Sequence, residues 1–553
     1  MKKILVLTLC FVFATTLFVG CNKEKAVNKT GEEKNMSDRE ELEKNMFGWE
    51  IPNETIQISH FYASAQNPDK TEKETKAMRE YLLKEFNVEL NKIVYDTDSN
   101  ERLNLMLASN KYPDIITGLS LQEAKKWADL GKAIELSQYI ESDSELSNKY
   151  GEILNRFTDK EGKIYYLSSG WGFLPIPDYA VHIRYDYWKE LGEPSVATPE
   201  EYFNVLKQMQ ALHSTNENGE KVYALSTRGW NNTFNTLAGI WGIKDGYKEN
   251  ANHELTHWVN TPEGLEMALW INQFHLNDML DPDSFINKFE DWKAKTSNER
   301  ILGHIGGWWT TWNAGHEVWQ KTDENWTEEK RFIQVKVKSE NVDEAYYTPV
   351  NTTGGSYTII TDKCKDPESV IKWFNFEISD MGTKLMGWGV PNTENSLWNT
   401  DGTEWSFVEE KKQDVINSTL DYTNLQETVS GGRFCLVGGT GLKEDKTTYY
   451  FDQNFNDLAK WKKLMNDNLA DTIYDHSAFK GIVFPPQERA TFIKQQVKDM
   501  LLSGWAEVVT ASSQEECETK FFELRDKLSN VGIKELEEFV TTQYKANLER
   551  YYK

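Results

Sequence analysis

Cysteine is scarce in this chain. Five occur in 553 residues, at Cys10, Cys21, Cys364, Cys435 and Cys517. The three that follow Cys21 are odd in number and widely spaced, which excludes a disulfide framework and a zinc ribbon. Positive charge is short as well: 62 Lys and Arg stand against 87 Asp and Glu, a formal charge of −25. So acidic a chain repels phosphate backbones, and nucleic acid is excluded as a partner. After the first twenty residues no stretch approaches the roughly eighteen apolar residues that a membrane-crossing helix needs. There is no internal repeat and no low-complexity tract. What the chain has in excess is tryptophan, twenty in all. A buried indole needs a partner for its N–H, and indoles often serve at binding surfaces, so packing alone does not account for that number.

Residues 1–20 carry Lys2 and Lys3 and then an apolar run that closes on Leu17-Phe18-Val19-Gly20-Cys21. A basic start, a short apolar middle and a small residue at the cut describe a secretory signal, too short and too one-sidedly flanked for a membrane span. Cys21 directly after Val-Gly resembles the lipobox of bacterial lipoproteins, with Phe18 where Leu or a small residue is more usual. That resemblance implies cleavage before Cys21 and lipid on its sulfur. Loss of Lys2 and Lys3 then takes the formal charge from −25 to −27. Residues 22–50 are mostly Lys, Glu, Asn, Ser and Gly. They read as a flexible tether, spanning on the order of 30 Å root-mean-square.

Order is expected from residue 55, where residues 55–61 alternate as a strand does. Asn67-Pro68-Asp69 opens a helical pattern in which Met78, Leu82 and Phe86 recur every four residues. Residues 88–94 read as a second strand, a second helix runs through Leu103, Met106 and Leu107, and residues 113–118 read as a third strand. Strand, helix, strand, helix, strand at this spacing argues for a parallel α/β sheet with right-handed crossovers. Residues 127–140 are expected to be helical and residues 159–166 to form a tight hairpin. A second block starts near Gly170, with a strand at residues 179–185. Thr198-Pro199-Glu200-Glu201 is a helix start: Thr caps, Pro suits the first position and Glu201 completes a capping box. Similar starts recur at Thr261-Pro262-Glu263 and Asp366-Pro367-Glu368. Further strands are expected at residues 301–305 and 356–361, and the last hundred residues read as mainly helical.

Several stretches now stand in order: the lipobox, Tyr112-Pro113-Asp114-Ile115, the residue 159–166 hairpin, Ile183-Arg184-Tyr185-Asp186-Tyr187-Trp188, the Thr198 helix start, Asp281-Pro282 and Cys364-Lys365-Asp366-Pro367-Glu368. None is specific alone; their order and spacing are. Together they resemble the extracellular solute-binding proteins of carbohydrate ABC importers, in the large lipoprotein branch of Gram-positive bacteria, over most of residues 50–553. The resemblance implies an α/β, periplasmic-binding-protein-like fold of two lobes, each discontinuous, with the ligand in the cleft between them. The divisions it implies are a signal at residues 1–20, a tether at 21–50, lobe 1 from 51–168 with about 355–440, and lobe 2 from 169–354 with about 441–553. It also implies a monomeric, non-catalytic receptor, lipid-anchored on the extracellular face, that closes on a carbohydrate and passes it to the permease subunits of an ABC transporter. The many indoles point to an oligosaccharide and leave peptide or another polar solute open. The alternative is a secreted hydrolase.

His253-Glu254-Leu255-Thr256-His257 fits H-E-x-x-H, which on a helix places two imidazoles on one face for zinc. The context is wrong, because the helix start at Thr261-Pro262 follows too soon. The resemblance places a strand here, where residues four apart lie roughly 13 Å from each other and cannot share an ion. Asn216-Glu217-Asn218-Gly219-Glu220 lies where relatives can carry a calcium loop, but Lys221-Val222-Tyr223 replaces the acidic pair, so a hairpin turn is the better reading. No metal or cofactor is expected. Among 87 carboxylates the sequence selects no catalytic pair. The aromatic clusters carry more information. Ile305-Gly306-Gly307-Trp308-Trp309-Thr310-Thr311-Trp312 reads as a strand end, a bare turn and a helix start, with Trp308 and Trp312 on one face. Its glycines would let a ligand approach the backbone, and its indoles would stack on sugar rings at a strand carboxyl end. Trp171, flanked by glycines, and Trp230 with Asn231 are further candidates. Asp114 and Arg433 are candidate polar anchors.

Overall fold

The computed structural model describes residues 42–159, 161–169, 177–417, 419–432, 436–437 and 460–552. Cys21, Trp171 and Arg433 lie outside them. Among the described residues the strands are β1 (Ile56–Tyr62), β2 (Val88–Ile93), β3 (Ile115–Leu119), β4 (Leu167–Ser169), β5 (Tyr179–Arg184), β6 (Tyr223–Ser226), β7 (Tyr247–Glu249), β8 (Leu255–His257), β9 (Ile301–Gly307), β10 (Phe332–Val335), β11 (Thr348–Val350), β12 (Ser356–Ile360), β13 (Trp398–Thr400), β14 (Trp405–Phe407) and β15 (Ile473–Asp475).

The first sheet has the order β2-β1-β3-β12-β4. Its first three strands are parallel, with Ile56 opposite Val88 and His60 opposite Ile115. β12 runs antiparallel to β3 and β4 on either side of it. The helix Pro68–Phe86 joins β1 to β2 and shows why the chain turns where it does. Asn67 caps it by accepting from the Lys70 N–H, Pro68 suits the first turn, and Asn87 ends it in the left-handed region at φ 53°. Met78, Leu82 and Phe86 form its buried stripe, each worth roughly 1.5–3 kcal/mol of transfer free energy. The second sheet has the order β10-β5-β9-β6. β9 pairs parallel with β6 and antiparallel with β5.

Two large cores follow from the two sheets. One draws on residues 49–167 and 357–437, around Ile58, Leu90 and Trp373. The other draws on residues 180–347 and 469–540, around Ile183, Leu225 and Trp505. The chain thus builds two α/β lobes, each discontinuous in sequence, and the long helices Arg489–Val509, Gln514–Val531 and Ile533–Tyr552 belong with the second core.

Two expectations are corrected. Residues 44–50 are folded, with Lys44 bridged to Glu50. Trp49 is 5% exposed, and its ring N–H donates to the Phe86 carbonyl at 3.0 Å. The apolar residues around it, Met46, Phe47 and Ile51, follow neither a helix nor a strand period, so its burial was not legible in sequence. Residues 127–140 are not one helix. The helix is Leu121–Asp129, started by a Ser120/Glu123 capping box, and Gly131 turns the chain at φ 66°. Ala133 then bridges to Thr361.

Candidate functional site

β1, β2, β3 and β4 all end at one edge of the first sheet, and β12 begins there, with Ser356 opposite Ser169. In the second sheet β6 and β9 end where β5 begins, with Gly307 opposite Tyr179. Two crossings between the sheets join these edges, and residues 170–176 of the first lie outside the described residues. One leads from Ser169 to Tyr179, and the other returns through β11 to Ser356. They are tied at both ends. Gly355 N–H donates to the Ser169 carbonyl at 3.2 Å, while the Thr348 hydroxyl accepts from Tyr179 N–H at 3.0 Å and donates to its carbonyl at 3.2 Å. β15 adds a third strand, parallel to β11. Ligands of open α/β sheets bind at the carboxyl ends of strands, so these edges are the candidate site.

Trp308 stands at the second edge. Its backbone N–H donates to the Asp178 carbonyl at 2.9 Å, and its ring N–H donates to Asp178 Oδ1 at 3.1 Å. Two bonds to one residue hold the indole beside the crossing while it stays 41% exposed. Burial raises the Asp178 pKa above the ordinary carboxylate range, against the lowering effect of the Trp308 bond. Trp309 is half-buried and lies edge-on to Tyr179, with ring centroids 5.0 Å apart. Trp312 meets Trp308 edge-on at 6.3 Å and stacks on His316 at 4.1 Å. At Trp312–His316 the helix widens into a π-turn. The Gly306-Gly307 pair does not open the backbone to a ligand as expected. A Cβ on Gly307 would stand 2.5 Å from the Trp309 ring, and one on Gly306 would stand 2.8 Å from the His304 ring. The protein's own rings occupy the space the glycines leave.

Trp230 is placed in the core, not at a surface. It is 3% exposed, stacked on Phe285 at 5.8 Å and tilted against Trp505 at 5.7 Å. Asn231 beside it is exposed. Asp114 precedes β3, at the edge opposite the carboxyl ends. There its Oδ2 accepts from the Ser59 N–H and hydroxyl at 2.9 and 2.5 Å, so it clamps β1 to β3. Three residues that sequence reasoning passed over stand at the carboxyl edges. Asp178 carried the signal of lying just before a predicted strand. Tyr62 ends β1, and its ring passes 3.1 Å from where a Gly118 Cβ would be. Ile286, 75% exposed, precedes Asn287, whose amide donates to the Thr227 carbonyl at 3.1 Å just past β6.

No family model matches the chain, and no curated protein does. Solved structures do. The alginate-binding protein AlgQ2, without calcium ion, aligns at a TM-score of 0.64 with 16% identity, covering 90% of this chain and 99% of that one. The ABC-transporter substrate-binding protein FusA of S. pneumoniae, an EF-hand mutant in complex with fructo-nystose, aligns at 0.64 with 17% identity, over 89% and 99%. An extracellular solute-binding protein from Bifidobacterium longum subsp. infantis aligns at 0.65 with 13% identity, over 90% and 99%. The fold is that of the extracellular solute-binding proteins. Within this solute-binding fold the H-E-x-x-H stretch falls on the β7–β8 hairpin. His253 has φ 58° and is exposed, with Nδ1 2.5 Å from Glu249 Oε1. His257 is buried, its Nδ1 accepting from the Val259 N–H at 3.3 Å. Asn216 to Glu220 form a turn closed by a Thr215–Lys221 bridge, with Asn216 Oδ1 accepting from Glu220 N–H at 2.8 Å. Among the described residues no group of three or more His, Cys, Asp or Glu is arranged to hold a metal, and no helix is long and apolar enough to cross a membrane.

Proposed function

We propose that this chain is a non-catalytic receptor that captures an oligosaccharide outside the cell and delivers it to the permease subunits of an ABC importer. The observation that carries the reading is the Trp308–Asp178 pair at the edge where the chain crosses between lobes. The indole is exposed, fixed and flat, which suits the C–H face of a sugar ring. Asp178 Oδ1 is engaged by the indole N–H, while Oδ2 has no partner among the described residues and suits a pair of hydroxyl donors. Trp309 and Trp312 stand beside Trp308, with ring centroids 6.2 and 6.3 Å from its own; Asn231, Trp171 and Arg433 belong to the proposal from sequence alone. The likeness in fold to proteins described as binding alginate and fructo-nystose supports the same assignment.

In this reading lobe 1 is residues 51–168 with about 355–440, and lobe 2 is residues 169–354 with about 441–553. The lobes close about the crossings, so the ligand must bind the closed state better than the open one. The receptor acts as a monomer, and lipid on Cys21 holds it to the extracellular face of the membrane. The test is a thermal-shift screen of oligosaccharides on the purified full chain, followed by chromatography of the recovered glycan. Saturable stabilisation with the glycan returned unchanged is the expected result. Steady turnover of the glycan, or stabilisation by none of a panel spanning neutral and acidic oligosaccharides, would overturn the reading.

A further inference from the structure

A small cavity lies between the end of the helix Ile533–Tyr552 and the first core. Its volume is about 10 Å³, the room that one water-sized sphere takes. Lys125, Arg156 and Arg550 line it with Tyr166, Tyr357 and Tyr551, and among the described residues no carboxylate does. Each guanidinium is engaged in part. Arg156 Nη1 donates to the Thr352 hydroxyl at 2.8 Å and Nη2 to the Tyr551 carbonyl at 3.1 Å. Arg550 Nη2 donates to the carbonyls of Arg156, at 3.0 Å, and of Thr158. These acceptors are neutral, the rings of Tyr551 and Tyr552 lie against the guanidinium groups, and among the described residues neither arginine has an ion pair. Lys125 has no hydrogen bond or ion pair among the described residues, and neither does the Tyr166 hydroxyl. Burial, and then the charge of Arg550, push the Lys125 ammonium below its ordinary range, with Asp129 opposing them.

A water molecule would fill this space without reducing the charge around it. Three like charges about one small cavity repel one another, although Arg550 reaches solvent. Phosphate, sulfate and carboxylates each bring several heavy atoms, more than the space admits. We propose that the cavity is a binding site for one monatomic anion, chloride in physiological media, held among Lys125, Arg156, Arg550 and the Tyr166 hydroxyl. Such an ion would join the two lobes. Lys125, Arg156 and Tyr166 belong to the segment that builds the first core, whereas Ile533, Leu536 and Val540 of the last helix are buried in the second. The anion is therefore a clasp between the C-terminal helix and lobe 1, independent of any ligand at the Trp308 edge.

The experiment compares melting of the purified full chain in sodium chloride and in sodium gluconate at equal ionic strength, gluconate being too large for the cavity. Chloride should raise the melting temperature saturably, by about 2 °C or more, and bromide should do the same. Lys125→Met should lose this halide response. Should that variant fail to fold, Tyr166→Phe should weaken the halide response at least tenfold in concentration. Crystals grown in bromide should show an anomalous peak in the cavity of the unaltered protein. Equal melting in the two salts, an undiminished response in both variants, or a cavity without bromide would each overturn the proposal.

Discussion

Trp308 and Trp230 follow glycines in similar sequence surroundings, yet they face opposite requirements. Trp308 is held by Asp178 and exposed, whereas Trp230 is closed in by Phe285, Phe234 and Trp505. If the Trp308 edge is the sugar platform, Trp308→Ala should weaken glycan binding by roughly 2–4 kcal/mol, the range of an interface hot spot. Its folding stability should change little, because the ring covers little else. Trp230→Ala should behave in the reverse way, losing roughly 3–5 kcal/mol of folding stability as a core cavity opens. Titration calorimetry and urea unfolding on the same two variants separate the effects. Normal affinity in folded Trp308→Ala would remove this edge from the binding site.

At the scale of elements, the Gly307 turn shows how a short sequence sets the site. Gly307 has φ −77° and ψ 145°, a backbone that alanine adopts without strain, so its glycine is required by space alone. A Cβ there meets Trp309 at 2.5 Å and must displace the ring from its place against Tyr179. Gly307→Ala should therefore cost about 1–3 kcal/mol of stability, as overpacking does. In a Trp309→Ala background the same change should cost almost nothing, since the obstacle is gone. A double-mutant cycle in urea checks this, and additive effects would show that the ring is not what the glycine accommodates. This turn also marks the limit of what sequence reveals. β9, the glycine pair and the following helical turn were legible from apolar alternation and residue type, as were the capped helices at Pro68, Pro199, Pro262 and Pro367, because caps and stripes are local. The side toward which a ring folds is not local. Whether Trp309 fills the glycines or leaves them open depends on Tyr179, which reaches β9 only through antiparallel pairing of distant segments. Trp49 was missed for the same reason, and so was the position of Asp114 at the amino edge of its strand, which depends on the register with β1.

At the scale of the whole molecule, the two lobes differ in how they respond to acid. Four buried histidines, His182, His257, His304 and His316, lie in the segment that builds the second core, and burial shifts the pKa of the first three. Burial lowers the His182 pKa to about 4, against the hydrogen bond its ring donates to the Gly306 carbonyl. Burial lowers the His304 pKa to about 3, helped by the charges of His182 and Arg228, and lowers His257 to about 3. The first lobe has His60, held well below its ordinary value by burial and by Lys92. In each case the folded pKa lies below the unfolded value, so the unfolded chain binds protons more readily. The stability these neutral rings provide is complete above about pH 6.5 and is lost as pH falls toward the folded values. At about pH 5 each of the three has lost roughly 2 kcal/mol, together a large share of what an ordinary domain possesses. Asp178 acts in the opposite sense, since its raised pKa makes it bind its proton more readily when folded, but it is a single group. The second lobe should therefore unfold first on acidification, before carboxylates such as Glu299, held low by Arg184 and Lys330, begin to titrate. Melting followed by calorimetry from about pH 7.5 to 4.5 should show one transition separating into two, with the lower-melting one assigned to the second lobe by hydrogen exchange across β5 and β9. His257→Asn, which keeps an acceptor for the Val259 N–H, should reduce the steepness of the acid loss by about a third. A profile that stays flat to pH 5, or one in which β1 and β3 exchange first, would show that the histidines do not govern the acid response of this fold.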